Sequence, residues 1–346
     1  MPKDKGKANT EKVKLGIVGA GAISQVIHLP ILSKMNDVEI VAIADSDKTK
    51  VGALAEKYHI PNVFTDFEKL LAMDEIQGVH ICTPNSMHAP MAKSALSAGK
   101  HVLVEKPIAL TYEESKTMVE ESKKRKKILM VGMNHRFRPD AMVLKNFVKG
   151  KELGKIFYTK SGWLRRRGSW NETDWAKKKN VSGGGVFMDL GIPMLDLSIW
   201  LMDNPKVHSV FSTMYSHFQK DGVEDSAAVM IRFENDVVLS IEVSWTLLME
   251  NDFMYSNLFG TSGGALLNPL RIHKEMHGNL VNVTPQKMEK PENNYKKSYE
   301  YELKHFVECI KNNRPSMSSG EEAMEIMRIS EAIYQSAKEK REIVLK

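Results

Sequence analysis

The chain has 346 residues, of which 42% are hydrophobic and 27% charged, and its formal net charge is +6. This length and composition predict a globular protein of about two domains, and no run approaches the roughly 18 uninterrupted apolar residues that a membrane span needs. Because no basic stripe with interleaved aromatic residues is present, the positive charge does not indicate a nucleic-acid partner.

The chain begins with a lysine-rich segment. Residues 1–12 lack the apolar region of a secretory signal, which predicts a short flexible leader. The two cysteines, Cys82 and Cys309, form neither a disulfide framework nor a metal-type spacing. These features predict a cytoplasmic protein without a bound metal.

Residues 13–134 alternate short apolar runs with amphipathic stretches. The runs are nearly continuous, which is typical of strands covered on both faces, and they span 13–19, 38–45, 78–84, 101–107 and 128–134. The helix candidates between them span 47–58, 87–98 and 111–125, and the last opens with a capping-box pattern, Thr111 to Glu114. This alternation predicts an α/β Rossmann domain with a doubly wound parallel sheet.

Residues 135–346 follow a different pattern. Two runs of alternating polarity, 225–235 and 237–245, are typical of antiparallel strands with one exposed face. Helix candidates span 184–202, 299–311 and 320–338, and the polar stretch 284–297 reads as a loop. The second domain is therefore predicted to be α+β.

A glycine-rich turn follows the first predicted strand. Gly19 and Gly21 would let the backbone turn tightly beside a pyrophosphate, and Ser24 is small enough for close helix–strand packing. Asp45 ends the second strand, where a carboxylate accepts hydrogen bonds from both ribose hydroxyls and repels a 2′-phosphate. The pattern predicts NAD, with NADP possible because lysines lie nearby. A Rossmann domain without a nucleotide is the alternative.

Two polar motifs follow the next strands. These are TPNSMH at 83–88 and EKP at 105–107, and both fall at the edge of the sheet where ligands bind in open α/β folds. Oxidation of a carbinol leaves a proton on its oxygen that a base must accept. Lys106 can accept it while uncharged, and both burial and an oxidised nicotinamide disfavour the ammonium form.

Together these motifs resemble a known family. With NHRFRP at 134–139 and GGGVFMDLGIPMLD at 183–196, they are similar to the glucose–fructose oxidoreductase, inositol dehydrogenase and MocA family over nearly the whole chain. The resemblance implies a second domain, 135–346, with an open, mainly antiparallel sheet that binds substrate. It implies hydride transfer between NAD(P) and a hydroxyl or carbonyl carbon of a sugar, sugar derivative or cyclitol. It also implies a homodimer or homotetramer that associates through the sheet.

The resemblance assigns roles to individual residues. Those that would contact the cofactor are Gly19, Gly21, Ala22, Ile23, Asp45, Thr83, Pro84, Asn85, His88, Glu105 and Lys106. The Lys106–Pro107 bond would be cis, Lys106 and Asp189 would be catalytic, and Arg136 would face the substrate. The segment WLRRRG at 163–168 suggests that Trp163 stacks on a sugar face while Arg165 or Arg166 binds hydroxyls or an acidic substituent.

The helix at 184–202 departs from the family pattern. Similar enzymes have Asp-x-Gly-x-His-x-x-Asp, and here Pro193 takes the place of the catalytic histidine between Asp189 and Asp196. Pro193 inside the helix would leave the Asp189 carbonyl without its donor, next to the substrate, and kink the helix near Gly191. Alternatively the helix starts later, and Pro193 lies in its first turn.

The main hypothesis is therefore an NAD(P)-dependent dehydrogenase or reductase with Lys106 as the principal acid–base group. A glycosidase or lyase that recycles bound NAD is one alternative. A non-catalytic, nucleotide-dependent sugar sensor on the same scaffold is the other, and the loss of the histidine favours it.

Overall fold

The computed structural model describes residues 11–168, 178–217, 222–288, 290 and 293–345. Residues 1–10 of the predicted leader lie outside the described residues. Two sheets organise the described chain.

The first sheet has six parallel strands in the order β3-β2-β1-β4-β5-β6. They are β1 (Val13–Val18), β2 (Val38–Ala44), β3 (Asn62–Phe64), β4 (Gly78–Ile81), β5 (His101–Glu105) and β6 (Leu129–Gly132). The strand order reverses between β1 and β4, which opens a crevice at the carboxyl ends of the strands. The predicted doubly wound parallel sheet is confirmed.

Helices connect these strands. They are α1 (Leu29–Leu32), α2 (Lys48–Tyr58), α3 (Phe67–Leu71), α4 (His88–Ser97), α5 (Tyr112–Arg125) and, after β6, α6 (Pro139–Lys149). Helix α5 begins with the predicted capping box, because the Thr111 side chain accepts from the Glu114 N–H and the Glu114 side chain accepts from the Thr111 N–H.

The second sheet has nine strands in the order β14-β13-β12-β11-β7-β10-β9-β8-β15. They are β7 (Ile156–Arg166), β8 (Val207–Tyr215), β9 (Ser226–Phe233), β10 (Val238–Leu247), β11 (Phe253–Gly260), β12 (Gly263–Leu267), β13 (Arg271–Met276), β14 (Asn279–Asn282) and β15 (Ile343–Val344). Only β7 and β10 pair in parallel; the other described pairings are antiparallel. The predicted open, mainly antiparallel sheet is confirmed.

One face of this sheet is covered and the other is exposed. Along β9 the residues alternate, with Val229 and Ile231 buried and Met230 56% exposed. The covering elements include α8 (Ile192–Leu201) and α10 (Gly320–Glu339), and the short helix α7 (Lys179–Ser182) precedes α8. This alternation is the sequence signal from which an antiparallel sheet with one exposed face was expected.

Helix α9 (Asn294–Asn312) packs against the first sheet, although it follows the strands of the second. A Cβ atom on Gly78 of β4 would lie 2.9 Å from Cδ1 of Ile310, and the Phe306 ring meets the His80 ring edge-on at 5.2 Å. Residues 294–297, expected to be loop, are helical. The amphipathic pattern indicates that one side of this helix is buried, but it does not indicate which sheet buries it.

The stretch Lys179–Leu201 is long and apolar enough, by length and composition, to be a candidate membrane span. Of its most apolar window, 94% is buried inside the protein. Packing in the core accounts for its apolar composition.

Candidate active site

The turn after β1 requires glycine at one position. Gly19 has φ +98°, and a Cβ atom there would lie 2.6 Å from the carbonyl oxygen of Cys82. The Ser24 hydroxyl donates to the Gly19 carbonyl and closes the turn. At Gly21 a Cβ atom would come no closer than 3.7 Å to Cys82, so this position is open.

Asp45 lies beside this turn. Its carboxylate accepts hydrogen bonds from the backbone N–H of Ala20 at 2.6 Å and of Asp47 at 2.9 Å. The Oγ1 atom of Thr83 is buried and has no hydrogen-bond partner within the described part of the chain. A tight glycine turn, a carboxylate at the end of the next strand and a spare buried hydroxyl fit a dinucleotide such as NAD.

Asn85 and His88 join the loops at this edge. The His88 ring nitrogens lie 2.7 Å from the Pro107 carbonyl and 2.9 Å from the Thr83 carbonyl, and Asn85 donates to the Ser182 carbonyl at 2.9 Å. Burial lowers the pKa of His88 below its ordinary value, although both carbonyls act in the opposite direction. The Lys106–Pro107 bond is cis. The side chains of Asn85 and His88 therefore hold together segments that are distant in sequence.

Glu105 is buried under the edge of the sheet and contacts a histidine. Its Oε1 lies 2.7 Å from Nε2 of His28, whose Nδ1 lies 3.0 Å from Nδ1 of His80. Burial acts to raise the pKa of Glu105, but the hydrogen bond and positive charge of His28 outweigh it and hold that pKa below its usual value. Sequence reasoning missed His28, because its partner lies 77 residues away.

Lys106 and Asp189 form the centre of the site. Nζ of Lys106 lies 2.8 Å from Oδ1 of Asp189 and donates to the Asp189 backbone carbonyl at 2.9 Å. The two side chains are 28% and 26% exposed, so a ligand can reach them. The indole N–H of Trp245 on β10 donates to Oδ2 of Asp189 at 3.2 Å. Burial acts to raise the pKa of Asp189, but Lys106 outweighs it and the pKa lies below its usual value.

The backbone around Asp189 is helical but not uniformly α. Residues Phe187–Gly191 form a π-helical turn that runs directly into α8, and Pro193 lies buried in the first turn of α8. Pro193 therefore lies in the first turn of an α-helix, as the interpretation with a later helix start expects. The backbone before it is nevertheless helical, as the interpretation with Pro193 inside the helix expects. Pro193 has no N–H for the Asp189 carbonyl, and this carbonyl accepts its hydrogen bond from Lys106.

Glu224 anchors the start of this helical segment. Its Oε1 accepts from the backbone N–H of Gly185 at 2.9 Å and of Phe187 at 3.0 Å, and from the Tyr334 hydroxyl at 2.7 Å. A Cβ atom on Gly185 would lie 2.0 Å from the Glu224 carbonyl oxygen. Sequence reasoning missed Glu224, because it lies 39 residues from Gly185 and nothing local identifies it as the partner.

Arg136 does not face the substrate, which corrects the expectation from the family resemblance. Its side chain is 1% exposed, its Nε donates to Asp196 at 2.8 Å and its Nη2 lies 2.5 Å from the same carboxylate. Its Nη1 contacts Glu322 and donates to the Met317 carbonyl at 2.7 Å. The motif identified Arg136 as a residue of interest, but its guanidinium is directed towards the buried carboxylate of Asp196 and not towards the substrate.

Aromatic and basic side chains lie near the Lys106–Asp189 pair. The His135 ring meets the Trp163 ring edge-on at 5.3 Å, and the Arg165 guanidinium lies 5.0 Å from the centroid of the Trp163 ring. The charge of Arg165 helps to lower the pKa of Asp189. Burial, and then the charges of Arg138 and Lys106, lower the pKa of His135 to about 3. Among the described residues, no group of three or more His, Cys, Asp or Glu side chains could hold a metal ion.

Comparison with protein families gives two matches along the chain. Residues 13–133 match the family described as "Oxidoreductase family, NAD-binding Rossmann fold". Residues 145–345 match the family described as "Oxidoreductase family, C-terminal alpha/beta domain". Together the two matches cover most of the sequence.

Curated relatives are similar over almost their whole length. The chain is 31% identical to a D-glucoside 3-dehydrogenase of Escherichia coli K12, over 96% of this chain and 97% of the relative. It is 26% identical to a myo-inositol 2-dehydrogenase of Thermotoga maritima, over 96% and 98% of the two chains. These relatives are dehydrogenases of sugar derivatives or cyclitols.

Solved structures share the fold. A levoglucosan dehydrogenase in complex with NADH and L-sorbose superposes with a TM-score of 0.87 at 21% identity, covering 97% of this chain and 99% of that one. An aldose-aldose oxidoreductase from Caulobacter crescentus gives a TM-score of 0.84 at 23% identity, covering 97% and 100%. The same arrangement of two domains therefore recurs in these oxidoreductases.

Proposed function

Because the chain belongs to the glucose–fructose oxidoreductase, inositol dehydrogenase and MocA family of NAD-binding oxidoreductases, we propose that Lys106 is the acid–base group with which it oxidises or reduces a sugar or cyclitol. NAD, when bound, supplies the hydride chemistry. The observation that carries the proposal is the double contact of Lys106 Nζ with the carboxylate and carbonyl of Asp189.

Two acceptors on Asp189, its carboxylate and its backbone carbonyl, give Lys106 a defined position. In oxidation, an uncharged Lys106 amine takes the proton of the substrate hydroxyl; in reduction, the ammonium returns a proton to the oxygen. Asp189 holds Nζ at one place, 2.8 Å from its Oδ1. Trp245 in turn holds the Asp189 carboxylate.

The substrate class is supported by the surroundings of this pair. Trp163 is half-buried and offers a ring on which the C–H face of a pyranose or cyclitol packs. Arg165, whose guanidinium lies 5.0 Å from the centroid of the same ring, would bind hydroxyls or an acidic substituent. We therefore propose a cyclic polyol, with glucosides and inositols, on which the relatives act by name, as the first compounds to test.

The cofactor would be held by the residues at the carboxyl edge of the first sheet. The glycine turn with Ala22 and Ile23 would contact the pyrophosphate, and Asp45 would bind the adenosine ribose. The cofactor channel would be lined by Thr83, Pro84, Asn85 and His88, with Glu105 and Lys106 at the nicotinamide. Asp45 favours NAD over NADP, because its carboxylate repels a 2′-phosphate.

The test compares Lys106→Met with Lys124→Met, a control on the exposed side of α5. NADH formation is followed with methyl D-glucoside, myo-inositol and levoglucosan, and NAD binding is measured by calorimetry. We expect Lys106→Met to lose at least about 10²-fold in kcat while it still binds NAD, and the control to match the wild type. Turnover that survives in Lys106→Met would remove this residue from the mechanism.

The same assay separates the alternatives. Release of nitrophenol from a nitrophenyl glycoside without net NADH would indicate a glycosidase that recycles its cofactor. Binding of NAD and sugar without any turnover would indicate a sensor. Either result would replace the dehydrogenase proposal.

We also propose self-association through the exposed face of the second sheet. Phe211 on β8 and Met230 on β9 are direct cross-strand partners there, and they are 49% and 56% exposed. Adjacent exposed apolar residues of this kind are typical of association surfaces. Sedimentation should show a dimer or tetramer, and Met230→Lys should shift it towards monomer.

A further inference from the structure

A buried histidine beside the site has no hydrogen-bond partner among the residues that the structure describes. His135 lies in the 3-10 turn Asn134–Phe137 directly after β6 and is 4% exposed. Its Nδ1 is fully enclosed without a partner, and within the described part of the chain no hydrogen bond reaches either ring nitrogen. Its sequence neighbours differ, since Asn134 donates to Ser298 and Arg136 is fully paired. Buried polar groups nearly always have partners, so this ring requires an explanation.

The position of the ring points to the substrate. It stands edge-on against Trp163 at 5.3 Å, and it is close enough to Lys106 for the charge of that lysine to act on it. Of its two nitrogens only Nδ1 is fully enclosed. Nε2 is thus the ring nitrogen that remains open to a ligand.

The ring is neutral, and its tautomer is not determined by the protein. Burial and two nearby cations hold its pKa at about 3, so it carries no charge at neutral pH. The tautomer of a histidine is usually set by the hydrogen bond of its second nitrogen, and here Nδ1 makes none. Nε2 can therefore either donate or accept, which suits a hydroxyl group.

We propose that Nε2 of His135 binds a hydroxyl of the cyclic polyol and helps to select the substrate. The inference rests on the proposed function and deepens it. It supplies a neutral imidazole to a site in which α8 carries Pro193 where similar enzymes have histidine. The reacting proton remains with Lys106, because a ring with a pKa of about 3 carries no acidic proton at neutral pH and is a weak base.

Two matched variants test the role of the ring nitrogens. His135→Phe keeps an aromatic ring against Trp163 but lacks both nitrogens, and His135→Gln keeps one donor and one acceptor. With the best substrate of the panel, we expect His135→Phe to raise KM about tenfold with little change in kcat, and His135→Gln to recover much of this. Thermal unfolding of both variants shows whether they are folded.

Deoxy analogues separate binding from a merely structural role. A ring that binds one hydroxyl affects only substrates that carry this hydroxyl. For the wild type, removal of that hydroxyl in one monodeoxy analogue should therefore raise KM by about the same factor as His135→Phe raises KM for the parent sugar. For that analogue the wild type and His135→Phe should then be alike. An equal loss for every analogue, or an unchanged KM in both variants, would overturn the inference.

Binding without turnover distinguishes this inference from the proposed function. Calorimetric titration of the sugar into Lys106→Met with NAD, with and without His135→Phe, measures binding alone. If turnover depends on Lys106 and His135→Phe binds normally, the inference fails and the proposed function stands. If the wild type shows no turnover but His135→Phe weakens sugar binding about tenfold, the inference stands and the proposed function fails. Absence of sugar binding by the wild type overturns both.

Discussion

At the scale of single residues, Asp189 contacts Lys106 through both its side chain and its backbone. Its carboxylate joins Lys106 to Trp245, and its backbone carbonyl accepts a second bond from Lys106. The carboxylate supplies charge and direction, whereas the carbonyl depends only on the backbone. Substitutions can separate these contributions.

We predict that Asp189→Asn lowers kcat about ten- to hundredfold and leaves NAD binding unchanged. The amide keeps the shape but removes the charge that holds Lys106 in position, and small misplacements of a catalytic group are costly. Trp245→Phe removes the donor to Oδ2 but leaves the Asp189 charge in place, and it should lower kcat less than about tenfold. Steady-state kinetics of both variants test this order, and a larger effect of Trp245→Phe would contradict it.

Individual residues also show the limit of motif reasoning. In the segment NHRFRP, sequence reasoning selected Arg136 as a substrate contact, but its side chain forms a buried ion pair with Asp196. The residue before it, His135, has no hydrogen-bond partner among the described residues. Adjacent residues of a turn point in different directions, and the direction depends on what packs around the turn.

At the scale of elements, both helices that open the site share one irregularity. A π-helical turn, Ser24–His28, precedes α1, and a second, Phe187–Gly191, precedes α8. In each case a proline, Pro30 or Pro193, is the second residue of the α-helix that follows. Proline lacks an N–H and clashes with the carbonyl four residues earlier, so a wider turn relieves the helix. Each π-turn carries a site residue, His28 or Asp189.

We predict that Pro193→Ala lowers kcat several-fold without loss of stability. Alanine favours the helix and restores an N–H that competes with Lys106 for the Asp189 carbonyl. Pro30→Ala is the matched control, because it makes the same change at the other π-turn without touching this contact. Kinetics and thermal unfolding of both variants test the prediction, and equal kcat values in the two would contradict it.

At the scale of the whole molecule, a buried ion pair joins distant parts of the chain. Arg136, after the last strand of the first sheet, contacts Asp196 on α8 and Glu322 on α10. Burial holds the pKa of Asp196 above its usual value even beside this arginine. Removal of Arg136 would leave a buried carboxylate without its partner.

We predict that Arg136→Met lowers the free energy of unfolding by about 3–5 kcal/mol, as expected for one partner of a buried pair, and changes KM little in the protein that folds. Arg125→Met removes an exposed pair with Glu121 and should leave the urea midpoint unchanged. Urea unfolding and substrate kinetics measure both effects. A raised KM with unchanged stability would restore Arg136 as a substrate contact.

The sequence alone determined the features that depend on near neighbours. The parallel strands follow from continuous apolar runs, the turn at Gly19 from its need for positive φ, and the capping box of α5 from residues three apart. Asp45 and Lys106 could be placed at one edge because parallel strands all end on the same side. Each of these inferences uses a pattern within one segment or the common direction of parallel strands.

Only the tertiary structure decided which distant segments meet. Lys106 and Asp189 are 83 residues apart, Asp189 and Trp245 are 56 apart, and Arg136 and Asp196 are 60 apart. The packing of α9 on the first sheet, the anchor at Glu224 and the unpaired ring of His135 are of the same kind. A local pattern shows that a side chain is buried or polar, but its partner is chosen by the packing of the whole chain, because satisfying buried charges and donors is a property of the assembled core.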